Sequence, residues 1–386
     1  MGPLKGYRVI EMAGIGPAPF ACMLLADMGA EIIRVDRQDA ADLGIPGRAT
    51  KFNVLERGRR SIKVDLKSEA GRAVARRLIA KADALVEGFR PGVLERLGLA
   101  PDDLMKINPT LGSGRMTGFG QDGPMAPRAG HDINYIAMAG VLHTIGRRGE
   151  APVPPLNLVG DFGGGGMFMA FGVVCALLEA VKSGKGQVVD ATMIDGAAYL
   201  AGFVFAMHSA GTWKDERGSN VLDTGAPWYD VYPTKDGKWL SVGAIEARFY
   251  AEFVAGIGLD MAELPKQHDR AGWPDLRRLF AAKIAAKTRA EWEQVFAASD
   301  ACVAPVLSLA EVSKHPHNET RGTFLNRDGV VQPAPAPRFS RTKAEAGSTP
   351  VAAGSNTDAI LAEFGFSAVE AKALSAAGTV GGRSRT

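Results

Sequence analysis

The chain has 386 residues, more than a single hydrophobic core organises economically, so two domains or one large α/β body with an elaboration are expected and a small stapled module is excluded. With 46% hydrophobic and 23% charged residues, the composition is that of a globular protein with ample material for a buried core. Lys and Arg (45) against Asp and Glu (42) leave a formal charge of +3, which gives no global field for nucleic acid or a membrane surface, so any anion site must be local. In chain order, Tyr7 to Met12 reads as a first strand, and Phe20 to Met28 as a helix entered through Pro17 and Pro19. Glu31 to Val35 is a second strand, Ser61 to Val64 a third, Glu69 to Ala80 a helix, and Ala84 to Val86 a fourth strand ending at Glu87-Gly88. This alternation predicts a mainly parallel, doubly wound sheet with crossover helices.

Helical periodicity follows at Ile133 to Leu142 and at Met167 to Val181, the second helix opened by the glycine run Gly163 to Gly166, which close packing or a ligand against the backbone would explain. After Val188-Val189-Asp190 and a Met193 to His208 helix the composition changes. Tyr229 to Tyr232 and Trp239 to Val242 flank Lys235-Asp236-Gly237, a hairpin signal. Helices are expected at Ala247 to Ile257, Trp273 to Ala286 and Arg289 to Ala298, and Gln332 to Pro337 as a stiff extended linker leading back across the first domain. The expected division is a large domain over 1–224, a small α+β domain over 225–330, a C-terminal segment over 331–376 returning to the large domain, and a disordered tail over 377–386.

Cys22, Cys175 and Cys302 lie too far apart for a zinc spacing or a disulfide framework, and their number points to a reducing compartment. The first residues lack a charged region followed by a long apolar core, and the longest apolar run, Met167 to Leu178, is too short to span a bilayer. A cytoplasmic protein with no membrane or nucleic-acid partner is expected, and Ser384-Arg385-Thr386 does not match a peroxisomal tripeptide.

Gly14-Ile15-Gly16 after the first strand, with Asp36 ending the second, is a partial dinucleotide fingerprint. Its third glycine is missing, and Pro17 and Pro19 stand where backbone N–H groups would cradle a pyrophosphate. A tight strand-to-helix turn accounts for the same residues. Ionisable groups gather beside glycines in three other segments: Gly130-His131-Asp132-Ile133-Asn134-Tyr135, Gly160-Asp161-Phe162-Gly163, and Gly243-Ala244-Ile245-Glu246. Singly, each acid has a structural explanation as a helix cap or first-turn residue.

Together with GIGPAPFACMLLADMGAEIIRVDR, FRPGVLERLGL, MTGFGQDGP, AGHDINY, PPLNLVGDFGGG, GKGQVVDA, GAPWYDVY, VGAIEARFY and SDACVAPVL, these segments resemble the α-methylacyl-CoA racemases of the family III CoA-transferase superfamily, in order from about residue 4 to 340. The resemblance implies the family III CoA-transferase fold, a large Rossmann-like domain with a smaller α+β domain in an interlocked homodimer whose active sites lie at the subunit interface. It implies an acyl-CoA thioester substrate and no separate cofactor or metal. His131 and Asp161 would be the two bases, one for each face of the α carbon, since racemisation removes a proton from one face and returns one to the other. Glu246 would come from the second subunit and hydrogen-bond His131, as the carboxylate of a triad does. Enolate stabilisation would fall to backbone N–H groups at the glycine-rich helix start.

For the CoA moiety the resemblance implies Arg37 against the adenine, with further contacts from Val64, Asp65, Leu66, Lys67, Gly88, Phe89, Arg90, Arg96, Gly130, Asp132, Ile133, Asn134 and Tyr135. Arg90 and Arg96 are natural phosphate partners by bidentate geometry, whereas Arg57, Arg59 and Arg60 read as exposed solubilising residues. Methionines such as Met193 and Met207 suit an apolar acyl surface or ordinary core packing. Two departures from the family pattern stand out: Ser113-Gly114-Arg115 where a Tyr-Ala-Arg run is common, and Thr224 where a glycine is expected.

Three other functions compete. A CoA-transferase would use Asp161 as a nucleophile to form a mixed anhydride. It would have no use for a second base, so His131 favours proton transfer. A catalytically idle CoA-binding protein has no need of His131, Asp161 and Glu246 together, and an NAD oxidoreductase is opposed by the two prolines.

Overall fold

A computed structural model describes residues 2–38 and 49–381. Among these, the strands β1 (Arg8–Met12), β2 (Glu31–Asp36), β3 (Arg59–Lys63), β4 (Ala84–Glu87), β5 (Gly112–Thr117) and β6 (Gln187–Thr192) form one parallel sheet in the order β3-β2-β1-β4-β5-β6. That order reverses between β1 and β4, which leaves a crevice at their carboxyl ends where ligands of open α/β sheets bind.

The sheet from β1 to β5 is largely buried because both faces are covered, whereas the first four residues of β6 are exposed or partly so. Ile10 and Met12 of β1 join one core with Ile33, Leu85 and the helix α2 (Glu69–Ile79), while Val9 joins the other with Val86 and the helix α1 (Pro17–Asp27). Gly16 precedes α1 at φ 66°, and Pro17 occupies the first helical turn, where its missing N–H costs nothing. Ser68 caps α2, its hydroxyl accepting the Gly71 N–H at 3.0 Å. Two short helices, α3 (Val93–Arg96) and α4 (Pro101–Ile107), lead into β5.

Strand β5 is absent from the sequence reading because Gly-Ser-Gly-Arg-Met-Thr has little β-propensity. Its glycines serve packing instead: a Cβ on Gly114 would lie 2.5 Å from Met169 Sδ, and one on Gly112 would lie 3.2 Å from Ala176 Cβ. These side chains belong to α6 (Leu158–Ser183), whose first part, Leu158–Met167, is π-helical. At 26 residues, with a mean hydropathy of 1.8 over an 18-residue window, α6 is long and apolar enough to cross a membrane, contrary to the reading that stopped the run at Leu178. Met169, Val173 and Ala176 are nevertheless buried against the sheet, as in the core helix of a globular protein. The glycine run sits inside the helix rather than at its opening, and close packing against neighbouring backbone and side chains accounts for it. A Cβ on Gly164 would lie 2.6 Å from Ala197 N, and one on Gly166 2.5 Å from Phe20 Cδ1.

The helix α5 (Asp132–Met138) precedes α6, and two helices, α7 (Met193–Leu200) and α8 (Gly202–Ser209), replace the single one expected over Met193 to His208. The chain divides into compact units at 1–139, 156–200 and 319–386 for the first, and 140–155 and 201–318 for the second. This differs from the boundaries at 224 and 330. Local ion pairs and bonds explain part of the difference: Arg147 and Arg277 both pair with the buried Asp230, and Arg217 donates to the carbonyls of His143 and Glu150. In the second unit β7 (Tyr229–Pro233), β8 (Trp239–Gly243) and β9 (Val303–Pro305) form an antiparallel sheet. The helices α9 (Ala247–Gly256), α10 (Trp273–Ile284) and α11 (Arg289–Val295) close a core around Trp228, Phe253, Phe280 and Trp292. Thr224 sits at φ 72°, the left-handed region that favours glycine, so the departure noted in the sequence carries backbone strain.

After α12 (Pro316–Arg321), Gln332 and Pro333 belong to β11 (Val330–Pro333), paired with β10 (Phe324–Arg327), rather than to a linker. The segment beyond covers the open edge of β3: Gly58 N–H bonds Ser348 O at 2.8 Å, and Asn356 N–H bonds Ser61 O at 2.9 Å. The helices α13 (Thr357–Glu363) and α14 (Ala368–Ala376) follow. Residues 377–381 are not a loose tail, since Val380 is buried and bridges Val64; residues 382–386 lie outside the described residues.

Arg57 and Arg59 are the reverse of solubilising. Arg59 and Glu11 form an ion pair at 2.9 Å with both side chains at 0% exposure, and Arg57 pairs with Asp27 while donating to Gln332 Oε1 at 2.8 Å. Arg60 is half-buried and bridges Glu31 and Glu363. Strand β3 reads as solvent-facing only if the returning segment is left out.

Candidate active site

Asp161 lies in the first turns of α6, and its carboxylate reaches the β1–α1 turn, where a Cβ on Gly16 would come within 3.4 Å of Asp161 Oδ2. It is thereby held at the crevice of the sheet. Asn157, four residues earlier, donates from Nδ2 to Asp161 Oδ2 at 3.1 Å; the sequence reading passed over it, although a polar side chain one turn before the acid is the signal. Burial raises the Asp161 carboxyl above the usual carboxylate range; the Asn157 bond lowers it, the charge of Asp132 raises it further, and His131 lowers it.

His131 is the N-cap of α5, in extended backbone, and its side chain is exposed. Its N–H donates to Asn134 Oδ1 at 3.0 Å, so Asn134 closes the helix start. Asp132 points the other way: its buried carboxylate accepts the Asp161 N–H at 2.7 Å. Tyr135 is also buried, its ring between Gly118 and Gly130, its hydroxyl donating to Gly130 O. Burial and then the Asp161 charge push the Tyr135 phenol up to about 12, so it stays neutral. The side chains of Asp132 and Tyr135 are thus turned into the protein, while His131, Ile133 and Asn134 are exposed and Gly130 is partly exposed. The glycine-run amides lie within π-helical turns, bonded to carbonyls five residues back, which removes them as free donors. The first-turn N–H groups of α5, at Asp132 and Ile133, have no intrahelical acceptor.

Beside this cluster runs a groove of about 480 Å³ lined by Gly14, Ile15, Arg37, Asn53, Gly88, Phe89 and residues 351–353 of the returning segment. The Arg37 guanidinium stands 5.7 Å over the Phe89 ring, leaving its outer face exposed. Arg90 and Arg96 follow β4, both exposed. Asp65, Leu66 and Lys67 follow β3, where Asp65 Oδ1 accepts the Lys67 N–H at 3.1 Å and Leu66 packs on the core. Val64 is buried, its N–H bonded to Asp36 O and its carbonyl to Leu66 N. Asp36 is engaged by Arg34 at 2.8 Å and by the Ser61 hydroxyl, so it is not free to hold a ribose. Glu246 belongs to the second unit, as the exposed N-cap of α9 after β8, with no hydrogen bond from its side chain to the helix start.

A family model described as CoA-transferase family III matches residues 4–357. The chain is 48% identical to "Alpha-methylacyl-CoA racemase" of Mus musculus over 95% of this chain and 94% of the relative, and 46% identical to the Homo sapiens protein of the same name over 95% and 94%. A crystal structure of a CAIB/BAIF family protein from Brucella suis superposes with a TM-score of 0.80 at 27% identity, covering 94% of this chain and 99% of that one.

Proposed function

The chain belongs to CoA-transferase family III, and from that premise we propose that it interconverts the (2R) and (2S) epimers of 2-methylacyl-CoA thioesters. The observation that carries this reading is the nearness of His131 and Asp161, brought together by the bond from the Asp161 N–H to Asp132, beside a groove that includes Arg37. One of the two takes the proton from C2, the C2–H electron pair passes into the thioester to give an enolate, and the other group, protonated, returns a proton to the opposite face. The roles reverse for the other epimer. A desolvated carboxylate with raised proton affinity is a better base than one in water, which suits removal of a weakly acidic α proton. The thioester delocalises the carbanion, so no separate cofactor or metal enters the scheme. The first-turn amides of α5 stabilise the enolate oxygen.

The CoA portion lies along the groove, its adenine on the free face of Arg37 and its phosphates toward Arg90 and Arg96. Two copies of the chain pair, and the partner subunit's Glu246 hydrogen-bonds His131 to fix its tautomer. Support for pairing comes from α6 and α7, where Phe171, Leu178, Val181 and Tyr199 are 64–78% exposed; an apolar patch of this kind on a globular protein calls for a cover. Domain-level interlocking of the two copies is part of the same proposal.

The test is proton NMR of a single 2-methylacyl-CoA epimer with the protein in deuterated water and no second acid present. Loss of the α proton with appearance of the other epimer is expected. Absence of exchange across several chain lengths would instead assign Asp161 as the nucleophile of a CoA-transferase.

A further inference from the structure

Asp132 is the residue next to one proposed base, yet its side chain serves the other. Its carboxylate is buried, with the residue 5% exposed, and Oδ2 accepts the backbone N–H of Asp161 at 2.7 Å. That N–H lies in the first turns of α6, where no intrahelical carbonyl is available, so an outside acceptor decides how this end of the helix is held. The fit is close enough to dictate the neighbouring residue. A Cβ on Gly160 would lie 2.6 Å from Asp132 Oδ2 and 2.9 Å from its Cγ, so only glycine admits the carboxylate under the Gly160-Asp161 peptide. The second oxygen, Oδ1, is buried without a hydrogen-bond partner among the described residues, an expense that a purely structural cap at a helix start would avoid.

We propose that Asp132 is a positioning residue: by gripping the Asp161 amide from the position after His131, it locks the two proton-transfer groups to one another across the α carbon. This rests on the two-base reading above. Asp161 is tethered from two directions, by Asp132 at its backbone and by Asn157 at its carboxylate, while His131 shares a peptide bond with the residue that grips it. Loosening Asp132 displaces the Asp161 carboxylate and leaves His131, closed by Asn134, in place.

The experiment is the deuterium assay on the full chain with each epimer, together with hydrogen exchange of the Asp161 amide. In Asp132→Ala, interconversion is expected to fall about 100-fold, as for an ångström-scale misplacement of a reacting group. KM should stay within about 3-fold, and washout of the α proton from the epimer deprotonated by His131 should persist, since its proton acceptor is undisturbed. Asp132→Asn keeps an acceptor oxygen for the amide and should recover interconversion to within about tenfold of the parent. The Asp161 amide should lose protection in the Ala variant and keep it in the Asn variant. Unchanged interconversion in Asp132→Ala overturns the proposal, as does an equal fall of both washout reactions in both variants, which marks a general structural role. If the parent protein itself shows no α-proton exchange, the two-base reading fails, while the amide protection still decides whether Asp132 holds Asp161.

Discussion

Two groups of charges sit within the first unit, and their surroundings are opposite. At the β1–β3 side, Glu11 meets Arg59, which also donates to Pro19 O and Arg57 O, and Asp27 meets Arg57, which is held in turn by Gln332 and Pro333. At the carboxyl end of β1, Asp161 has one side-chain donor, Asn157, a like charge close by, and a histidine that faces solvent. Desolvation acts on both groups, but only the first is compensated. Complete partnering fixes a charge in one state and makes it architecture; incomplete partnering leaves a group able to gain and lose a proton, and makes it chemistry.

The sharpest way to break the contrast is to remove a base. Asp161→Ala and His131→Ala should each lower racemisation by about 10³-fold or more, with α-proton washout lost unequally from the two epimers and little change in melting temperature. Racemisation at the parent rate in both would dissolve the two-base assignment. Next comes the architectural pair. Arg59→Met leaves Glu11 buried and alone and should cost roughly 3–5 kcal/mol of stability by denaturant titration, whereas Arg59→Met with Glu11→Leu should recover most of that loss. A single variant as stable as the parent would mean the pair is not sealed from water. Smaller still, Glu246→Gln should reduce turnover about tenfold while leaving the affinity for a CoA analogue within about twofold; a large affinity loss with intact turnover would move Glu246 to a binding role.

The smallest effect has a sign worth measuring. The Asp161 carboxyl binds its proton more tightly folded than unfolded, so its contribution to stability is fully present below the unfolded value and is lost as pH rises through the higher folded one. At neutral pH, therefore, Asp161→Asn should raise the melting temperature by ~1–2 °C, and the gain should vanish in acid. A lower melting temperature at neutral pH would show that Asp161 is compensated after all.

Most of the parallel sheet was legible in the sequence because β1, β2 and β4 are short apolar runs and α2 carries a clear amphipathic period. Strand β5 was hidden because its residues are chosen for the approach of Met169 and Ala176, a tertiary demand that overrides local propensity. Arg57 and Arg59 were misread for a related reason. An arginine on an edge strand looks solvated until residues some three hundred positions later are known to cover it. At the site, His131 and Asp161 were named through family resemblance and not through spacing. Resemblance also named Asp132 and Tyr135, but that the Asp132 carboxylate holds the Asp161 amide and the Tyr135 ring packs on Gly118 and Gly130 is visible only in three dimensions.

The segment that closes the edge of β3 also sets a schedule for synthesis. The greater part of the second unit, 201–318, is a continuous stretch and is complete on the ribosome while the first unit still lacks Ser348, Asn356 and Val380, each of which bonds or bridges residues between 58 and 64. A chain ending near residue 320 would hold every residue of the second unit but an incomplete first one, with the Arg57–Asp27 pair deprived of Gln332. The last sixty-odd residues are therefore the piece that completes the first unit, whatever the state of the second.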